Sequence, residues 1–354
     1  MPALARRAAP ILAACALLAA AAGCGGGGEP FGPSPDDTPP GPLARCLGTP
    51  FTPAPREAWR HPVASPLTVA LGPAGHSVQD TLARPAGDAA IHGKFAYGAM
   101  STDLGDEKVR VFLDSCAGWV SLGDVLTDLD GRISLPVPAA LGPGIYEVRL
   151  QVLGDGTVAA GRVWLLPAGT RLVVSDIDGT LTTSDEELVQ DLLTGLFEPI
   201  FSGRHVPAAY PGAAALTAAL AGRGYVVVYL TGRPYWLTAR TRQWLADGGF
   251  TLGPLHLADS NPEALPTAGG VGAYKLAWLR GLAAQGFLLD EAYGNATTDV
   301  SAYAGAGLPT TSTWIIGPNA GAGGTQPVTG SWEARAAAVT ALPATPQPFA
   351  QPGG

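Results

Sequence analysis

The stretch Val173-Val174-Ser175-Asp176-Ile177-Asp178-Gly179-Thr180 constrains this chain more than any other. An apolar run ends in two carboxylates one residue apart, followed by Gly-Thr. Side chains on a strand alternate faces, so Asp176 and Asp178 can address one point only if the chain leaves the strand between them and turns at Gly179. That arrangement suits phosphoryl transfer. Asp176 would act as nucleophile and Mg²⁺ ligand, while Asp178 protonates the leaving alcohol and later activates water, with an aspartyl-phosphate between the two steps.

The same spacing recurs at Asp128-Leu129-Asp130-Gly131, with no apolar strand before it and no Thr after it. It reads as a turn between two β-like segments. The other parts of a phosphoryl-transfer site lie downstream of Thr180. Tyr225 to Pro234 is a β-branched and aromatic strand closing on the hydroxyl of Thr231, then Gly232 and Arg233. Pro234 can start a helix, whose free N–H groups suit an anion; a plain strand-to-helix turn is the bland alternative. Only three of the 21 Lys and Arg residues are lysine: Lys94, Lys108 and Lys275. A compact ammonium at Lys275 could approach both Asp176 and a bound phosphate, although a solvated helix lysine has the same spelling. Ala292 to Val300 is a short strand running into a polar loop that ends in Asp299. Asp176, the backbone carbonyl of Asp178, Asp299 and Asn295 make an oxygen set of the kind Mg²⁺ takes; Asp299 as a helix N-cap is the rival reading.

Taken as a set, DIDGT, LTGRP, the isolated Lys275 and GNATTD resemble the haloacid dehalogenase superfamily. Within it, YVVVYLTGRPYWLTARTRQWL and AYGNATTDVSAYAGAGLP are similar to the lipin-type domain of phosphatidate phosphatases. They also resemble the corresponding domain at the end of membrane-associated phosphatidylinositol transfer proteins. The resemblance covers roughly residues 170 to 318. It implies Mg²⁺-dependent hydrolysis of phosphatidate to diacylglycerol, with Asp176 as nucleophile and Asp178 as acid and base. Thr180, Thr231, Gly232, Arg233 and Lys275 would bind substrate, and Asp299 the metal. Asn295 departs from the superfamily, where many members carry an acid. The transfer-protein relatives are thought to sense phosphatidate, so a binding-only role is the alternative class, and an exported phosphatase of soluble phosphomonoesters is a third reading.

The chain has 354 residues, 48 of them Gly and 33 Pro, which leaves room for about two domains and substantial irregular chain. A net charge of −8 and the lack of a basic run argue against a nucleic-acid partner. Residues 1–24 carry Arg6 and Arg7, an apolar stretch of about 15 residues and then Gly23-Cys24. That stretch is shorter than the roughly 20 residues a membrane span needs, so it reads as an export signal. Ala-Ala-Gly-Cys resembles a bacterial lipoprotein box. Cys24 would then be lipidated and would anchor the protein in the cell envelope beside its phospholipid substrate; ordinary cleavage to a soluble product is the alternative. Residues 25–63 read as a Gly/Pro-rich tether. Cys15 leaves with the signal. Cys46 and Cys116 are then an even pair in an exported chain, expected to form a disulfide rather than remain two free thiols.

From 64 to 168 the pattern has period two, as in Val109, Val111 and Leu113 or Tyr146, Val148, Leu150 and Val152, with turns at Asp130-Gly131, Gly142-Pro143-Gly144 and Asp155-Gly156. An antiparallel immunoglobulin-like β-sandwich is expected. His61, His76 and His92 show no metal-ligand spacing and read as surface or strand residues. From 169 to 318, strands at 171–176, 225–231, about 254–257, 290–294 and 312–316 alternate with helices near 185–200, 211–222, 234–247, 273–285 and 298–305. The α/β expectation is a Rossmann-like parallel three-layer fold of haloacid dehalogenase type. About 44 residues between Thr180 and Tyr225 are too few for a large cap. Ser184 and Glu187 suit a capping box for the first helix, whose stripe of Leu188, Leu192, Leu196 and Ile200, with Phe197 and Phe201 adjoining, is core or membrane contact. Residues 319–354 read as a flexible tail.

Overall fold

The protein, a computed structural model, is described for residues 43–183, 207–260, 262–346 and 349. The export signal, Cys24 and residues 25–42 of the tether lie outside these. So do Ser184, Glu187 and the apolar stripe from Leu188 to Phe201.

Period-two alternation builds the first domain as a β-sandwich. Along Lys108–Asp114, Val109, Val111 and Leu113 are buried, while Lys108, Arg110 and Phe112 keep partial contact with water. That strand pairs antiparallel with Gly144–Val152 and Trp119–Leu126, and Gly144–Val152 pairs antiparallel with Val158–Leu165. A second sheet of Ser77–Val78, Ala90–Lys94 and Arg132–Pro136 supplies Ile91 and Ile133 to the common core. The expected all-antiparallel arrangement fails at two places, where Thr81–Ala83 and Ala44–Cys46 join the larger sheet in parallel. Both are short segments that arrive from elsewhere in the domain rather than through hairpins. His76, read from sequence as a surface or strand residue, is buried against Phe95 and Tyr97, and burial pushes its pKa down to about 4.

The tether reading is corrected for residues 43–63, which are strapped onto the sandwich. Gln151 is fully buried on its strand and needs amide partners. Ala54 provides both, its N–H donating to Oε1 at 2.8 Å and its carbonyl accepting from Nε2 at 2.9 Å. Glu57 accepts from Lys108 and Arg110, each at 3.0 Å, and Phe51 packs edge-on against Phe112 and Trp119. Cys46 and Cys116 form a disulfide across 70 residues. Closing a loop of that length stabilises the folded chain by about 4 kcal/mol in the chain-entropy picture.

The second domain is a six-stranded, all-parallel sheet: β1 Arg171–Ser175, β2 Val226–Pro234, β3 Leu255–Ala258, β4 Leu288–Gly294, β5 Thr313–Ile316 and β6 Gln326–Val328, in spatial order 3-2-1-4-5-6. Helices cover both faces, as a sheet buried on both sides requires. On one face α1 Ala213–Gly222, α2 Thr238–Asp247 and α5 Glu333–Thr340 pack over Val173, Val227 and Tyr293. On the other, α3 Ala273–Ala284 and α4 Thr297–Gly305 pack over Val174, Leu230 and Ala292. The strand order reverses between β1 and β4, and open α/β sheets bind ligands at the carboxyl ends of strands beside such a reversal.

The C-terminal reading is corrected too: from 319 the chain adds β6 to the sheet and α5 to its face. Trp332, Ala336 and Val339 form a buried stripe, and the Trp332 Nε1–H donates to the Thr180 carbonyl at 2.7 Å. Polar contacts join the two domains. Asp80 of the sandwich, buried, accepts from both terminal nitrogens of Arg242 and from the N–H groups of Arg162 and Leu255. Gln79 pairs with the backbone of Leu257 on β3. No helix among the described residues is long and apolar enough to cross a membrane.

Candidate active site

The site forms where β1 and β4 end side by side. Asp176 follows the last residue of β1, and its N–H donates to the Tyr293 carbonyl on β4 at 3.0 Å, which fixes where its side chain begins. The Tyr303 hydroxyl of α4 donates to the same carbonyl at 2.9 Å. The chain then closes a tight turn, with the N–H groups of Thr180, Leu181 and Thr182 all converging on the Ile177 carbonyl and Gly179 at φ +67°. A left-handed residue is needed there, and glycine occupies that region without a Cβ penalty.

Lys275, in the first turn of α3, reaches across and donates to Asp176 Oδ1 and Asp299 Oδ1, each at 2.6 Å. All three side chains are buried. Asp299 sits in the first turn of α4, and its second oxygen accepts from the N–H groups of Asn295 and Ala296, each at 3.1 Å. It therefore performs the helix-capping role and the charged role together. Gly294 makes this possible, since a Cβ there would lie 2.7 Å from the Cβ of Asp299. The Thr180 hydroxyl lies 3.0 Å from Asp176 Oδ2 and 3.2 Å from Asn295 Oδ1, and its single proton serves one of them.

Burial raises the Asp176 pKa to about 7, helped by the charges of Asp299 and Asp178 and opposed by Lys275. Burial alone would pull Lys275 down, but the two carboxylates outweigh it and hold the ammonium above its ordinary range. With both acids ionised, the cluster carries one negative charge in excess of Lys275 and offers hard oxygen donors. Among the described residues no three His, Cys, Asp or Glu side chains gather to hold a metal. A cation here would rest on the carboxylates of Asp176 and Asp299, the Asp178 carbonyl and the Asn295 amide, with water completing its shell. Mg²⁺ accepts such a set.

Asp178 points to a different partner. Arg233 Nε donates to its two oxygens at 3.0 and 2.9 Å and Nη2 to Oδ1 at 2.6 Å, while Nη1 is held by Thr241 Oγ1 at 3.0 Å. The Thr231 hydroxyl, grouped with Lys275 at the sequence level, donates to Asp178 Oδ2 at 3.3 Å. Gly232 lies where a Cβ would come within 2.6 Å of Val271, in the tight turn before α3, so its smallness lets β2 approach the segment that carries Lys275. The described site residues thus form two adjoining groups: Asp176, Thr180, Lys275, Asn295 and Asp299, then Asp178, Thr231 and Arg233. Cys24 lies outside the described residues.

Sequence reasoning missed Thr241, which orients Arg233, Trp332, which holds the Thr180 carbonyl, and Asn319, whose amide donates to the Asn295 carbonyl at 2.8 Å. Only Trp332 left a trace in the sequence, as a large aromatic opening an alanine-rich helical run.

Two family models match this chain. Residues 173–317 match the LNS2 domain of PITM 1-3, and residues 74–164 match the beta-sandwich domain of PITM 1-3. Both domains are homologous to parts of membrane-associated phosphatidylinositol transfer proteins. Membrane-associated phosphatidylinositol transfer protein 3 of Homo sapiens is 30% identical over 270 residues, covering 74% of this chain and 25% of that protein. The Mus musculus protein of the same name is 31% identical over 277 residues, covering 76% and 26%. Protein retinal degeneration B of Drosophila melanogaster is 30% identical over 273 residues, covering 74% and 20%. The chain spans about a quarter or less of the length of these relatives. Among solved structures, a β-glucuronidase from Ruminococcus gnavus overlays with TM-score 0.23 and 11% identity over 68% of this chain and 42% of that one, too little to carry an argument. The LNS2 match runs from β1 to the end of β5 and so contains the whole acid–lysine cluster, whereas β6, α5 and Trp332 lie beyond it.

Proposed function

We propose that this chain is a Mg²⁺-dependent phosphomonoester hydrolase of haloacid dehalogenase type, acting on phosphatidate or a related phospholipid monoester through an aspartyl-phosphate on Asp176. The observation that carries the reading is the buried Lys275 ammonium, 2.6 Å from both Asp176 and Asp299 at the strand ends. A lipid as the ligand class is supported by relatives named as phosphatidylinositol transfer proteins. Export, lipidation at Cys24 and residence in a bacterial cell envelope belong to the same proposal and rest on the sequence of residues 1–24.

In this mechanism Lys275 and Thr180 hold the Asp176 carboxylate, which attacks phosphorus as the ester P–O bond breaks. The Asp178 carboxyl gives its proton to the departing lipid alcohol. Water then attacks the phosphorus of the aspartyl-phosphate, passing a proton to Asp178, and Asp176 leaves as a carboxylate with inorganic phosphate. One water is consumed and one ester hydrolysed. Mg²⁺, held by Asp176, Asp299, the Asp178 carbonyl and Asn295, would supply positive charge to the phosphoryl oxygens.

A second reading is a phosphatidate-binding module without turnover. It is favoured by one observation, the complete engagement of the Asp178 carboxylate by Arg233. The test is phosphate release from phosphatidate vesicles and from soluble phosphomonoesters, with Mg²⁺ and with EDTA, beside Asp176→Asn. Mg²⁺-dependent release that favours vesicles and vanishes in the variant is the expected result. Vesicle binding without release would leave the binding module, and release from soluble esters alone would move the substrate to small metabolites.

A further inference from the structure

Arg233 is buried, yet its ion pair lies at the open side of the site. The Asp178 side chain is 17% exposed, against 6% for Asp176, 3% for Lys275 and 1% for Asp299. Asp178 is thus the most open of these side chains, while Arg233 beneath it is 6% exposed, twice the value of the lysine. While Nε and Nη2 are engaged, both Asp178 oxygens accept from the guanidinium, so the carboxylate is held by Arg233. The same side of the guanidinium fits a phosphate as well as a carboxylate, because its rigid fork of parallel N–H groups is recognised bidentately by both. Thr231, two residues earlier on β2, already donates to the same carboxylate, and Arg233 N–H donates to the Thr231 hydroxyl at 3.2 Å. The strand thus offers a hydroxyl and a guanidinium fork side by side, with Thr241 holding the far nitrogen so that the fork stays aimed.

We propose that Arg233 is a positioning residue that exchanges partners: an incoming phosphomonoester dianion takes the guanidinium from Asp178 and leaves that carboxylate without its cation. The inference rests on the phosphomonoester reading of the site. It adds a selection rule. A dianion outcompetes a single carboxylate charge for one guanidinium at this depth, whereas a phosphodiester, with one charge and two blocked oxygens, does not. Phosphomonoesters then free Asp178 and diester phospholipids leave it latched.

The exchange is read directly from the Arg233 Nε–H resonance of the ¹⁵N-labelled full chain, assigned by its loss in Arg233→Lys. Orthophosphate at pH 8 should move that resonance and dimethyl phosphate should not. Arg233 also lies 5.9 Å from the Trp244 ring centroid, so Trp244 fluorescence should follow the same titration. A resonance that orthophosphate leaves in place, or that both anions move equally, overturns the proposal. In turnover, Arg233→Lys should raise KM for phosphatidate by about tenfold, the loss of one charge-assisted bond, and affect kcat less. A fall in kcat with KM unchanged would mean that Arg233 only holds Asp178 in place, and would also overturn it. The two readings fail separately. Wild-type protein that releases no phosphate but shows the orthophosphate shift sinks the hydrolase and keeps the exchange, and turnover without the shift does the reverse.

Discussion

Two turns in this molecule have nearly the same spelling and the same bend. Asp128-Leu129-Asp130-Gly131 and Asp176-Ile177-Asp178-Gly179 place their glycines at φ +66° and +67°. In the first, Leu129 is 87% exposed, and Asp128 Oδ1 spends itself on the N–H groups of Asp130 and Arg132 at 2.9 and 2.8 Å. In the second, Ile177 is fully buried beneath α1 and α5, and the aspartates find partners about 50 to 100 residues away, at Lys275, Thr231 and Arg233. The backbone of the turn is local chemistry. What makes one copy a candidate active site is the sheet beneath it, which removes water and supplies Lys275 and Arg233.

The comparison breaks first on activity. Asp176→Asn should lower Mg²⁺-dependent phosphate release by roughly 10³-fold or more, since it removes the nucleophile and keeps the shape. Asp128→Ala should release phosphate at the wild-type rate, and a variant Asp176→Asn with undiminished activity would return both copies to the status of turns.

Next is the dependence on a distant partner. Lys275→Met leaves Asp176 and Asp299 buried without their cation, at a cost of about 3 to 5 kcal/mol in urea unfolding. A loss below about 1 kcal/mol would mean that the cluster is more hydrated than its burial suggests.

The pH response follows from Asp176. Its folded pKa of about 7 stands above the unfolded value of 3.8, so the folded chain holds an extra proton between them, and stability is fully present below about pH 4 and lost as pH rises through 7. Asp176→Asn should therefore be more stable than wild type at pH 8, by at most about 4 kcal/mol, and the gain should disappear toward pH 4. Urea midpoints across that range check it, and a gain that grows as pH falls would reverse the assignment.

Two smaller effects separate packing from turn chemistry. Gly294→Ala should cost about 1 to 3 kcal/mol by driving Asp299 from Lys275, because the new Cβ meets Asp299 rather than solvent. Asp128→Ala should cost about 1 kcal/mol, the loss of its two N–H contacts at the surface. If Gly294→Ala proved as mild as Asp128→Ala, α4 would have room to move away from β4 and the 2.7 Å approach would not constrain Asp299.

Much of the second domain was readable because its signals are local. The apolar run that predicts a strand at 171–176 forms β1 at Arg171–Ser175, and the helices expected at 273–285 and 298–305 run Ala273–Ala284 and Thr297–Gly305. The β-sandwich was equally open to reading in Val109, Val111 and Leu113. Residues 43–63 and 319–346 depart from the tether and tail expectations for one reason: Gly and Pro lower the apparent core content of a segment, yet a few side chains such as Phe51, Trp59 and Trp332 suffice to seat it on a surface formed elsewhere.

The sequence by itself determined where strands stop, where glycine must turn the chain and which acids stand at those ends, because alternation and backbone sterics act over a few residues. Only the tertiary structure decided which cation each acid meets. Lys275 went to Asp176 and Asp299, and Arg233 to Asp178 rather than out to solvent. That choice depends on burying charge among β1, β2 and β4 and the helices α3 and α4 together, where an unpaired ion costs several kcal/mol and every buried charge must find its partner at a distance.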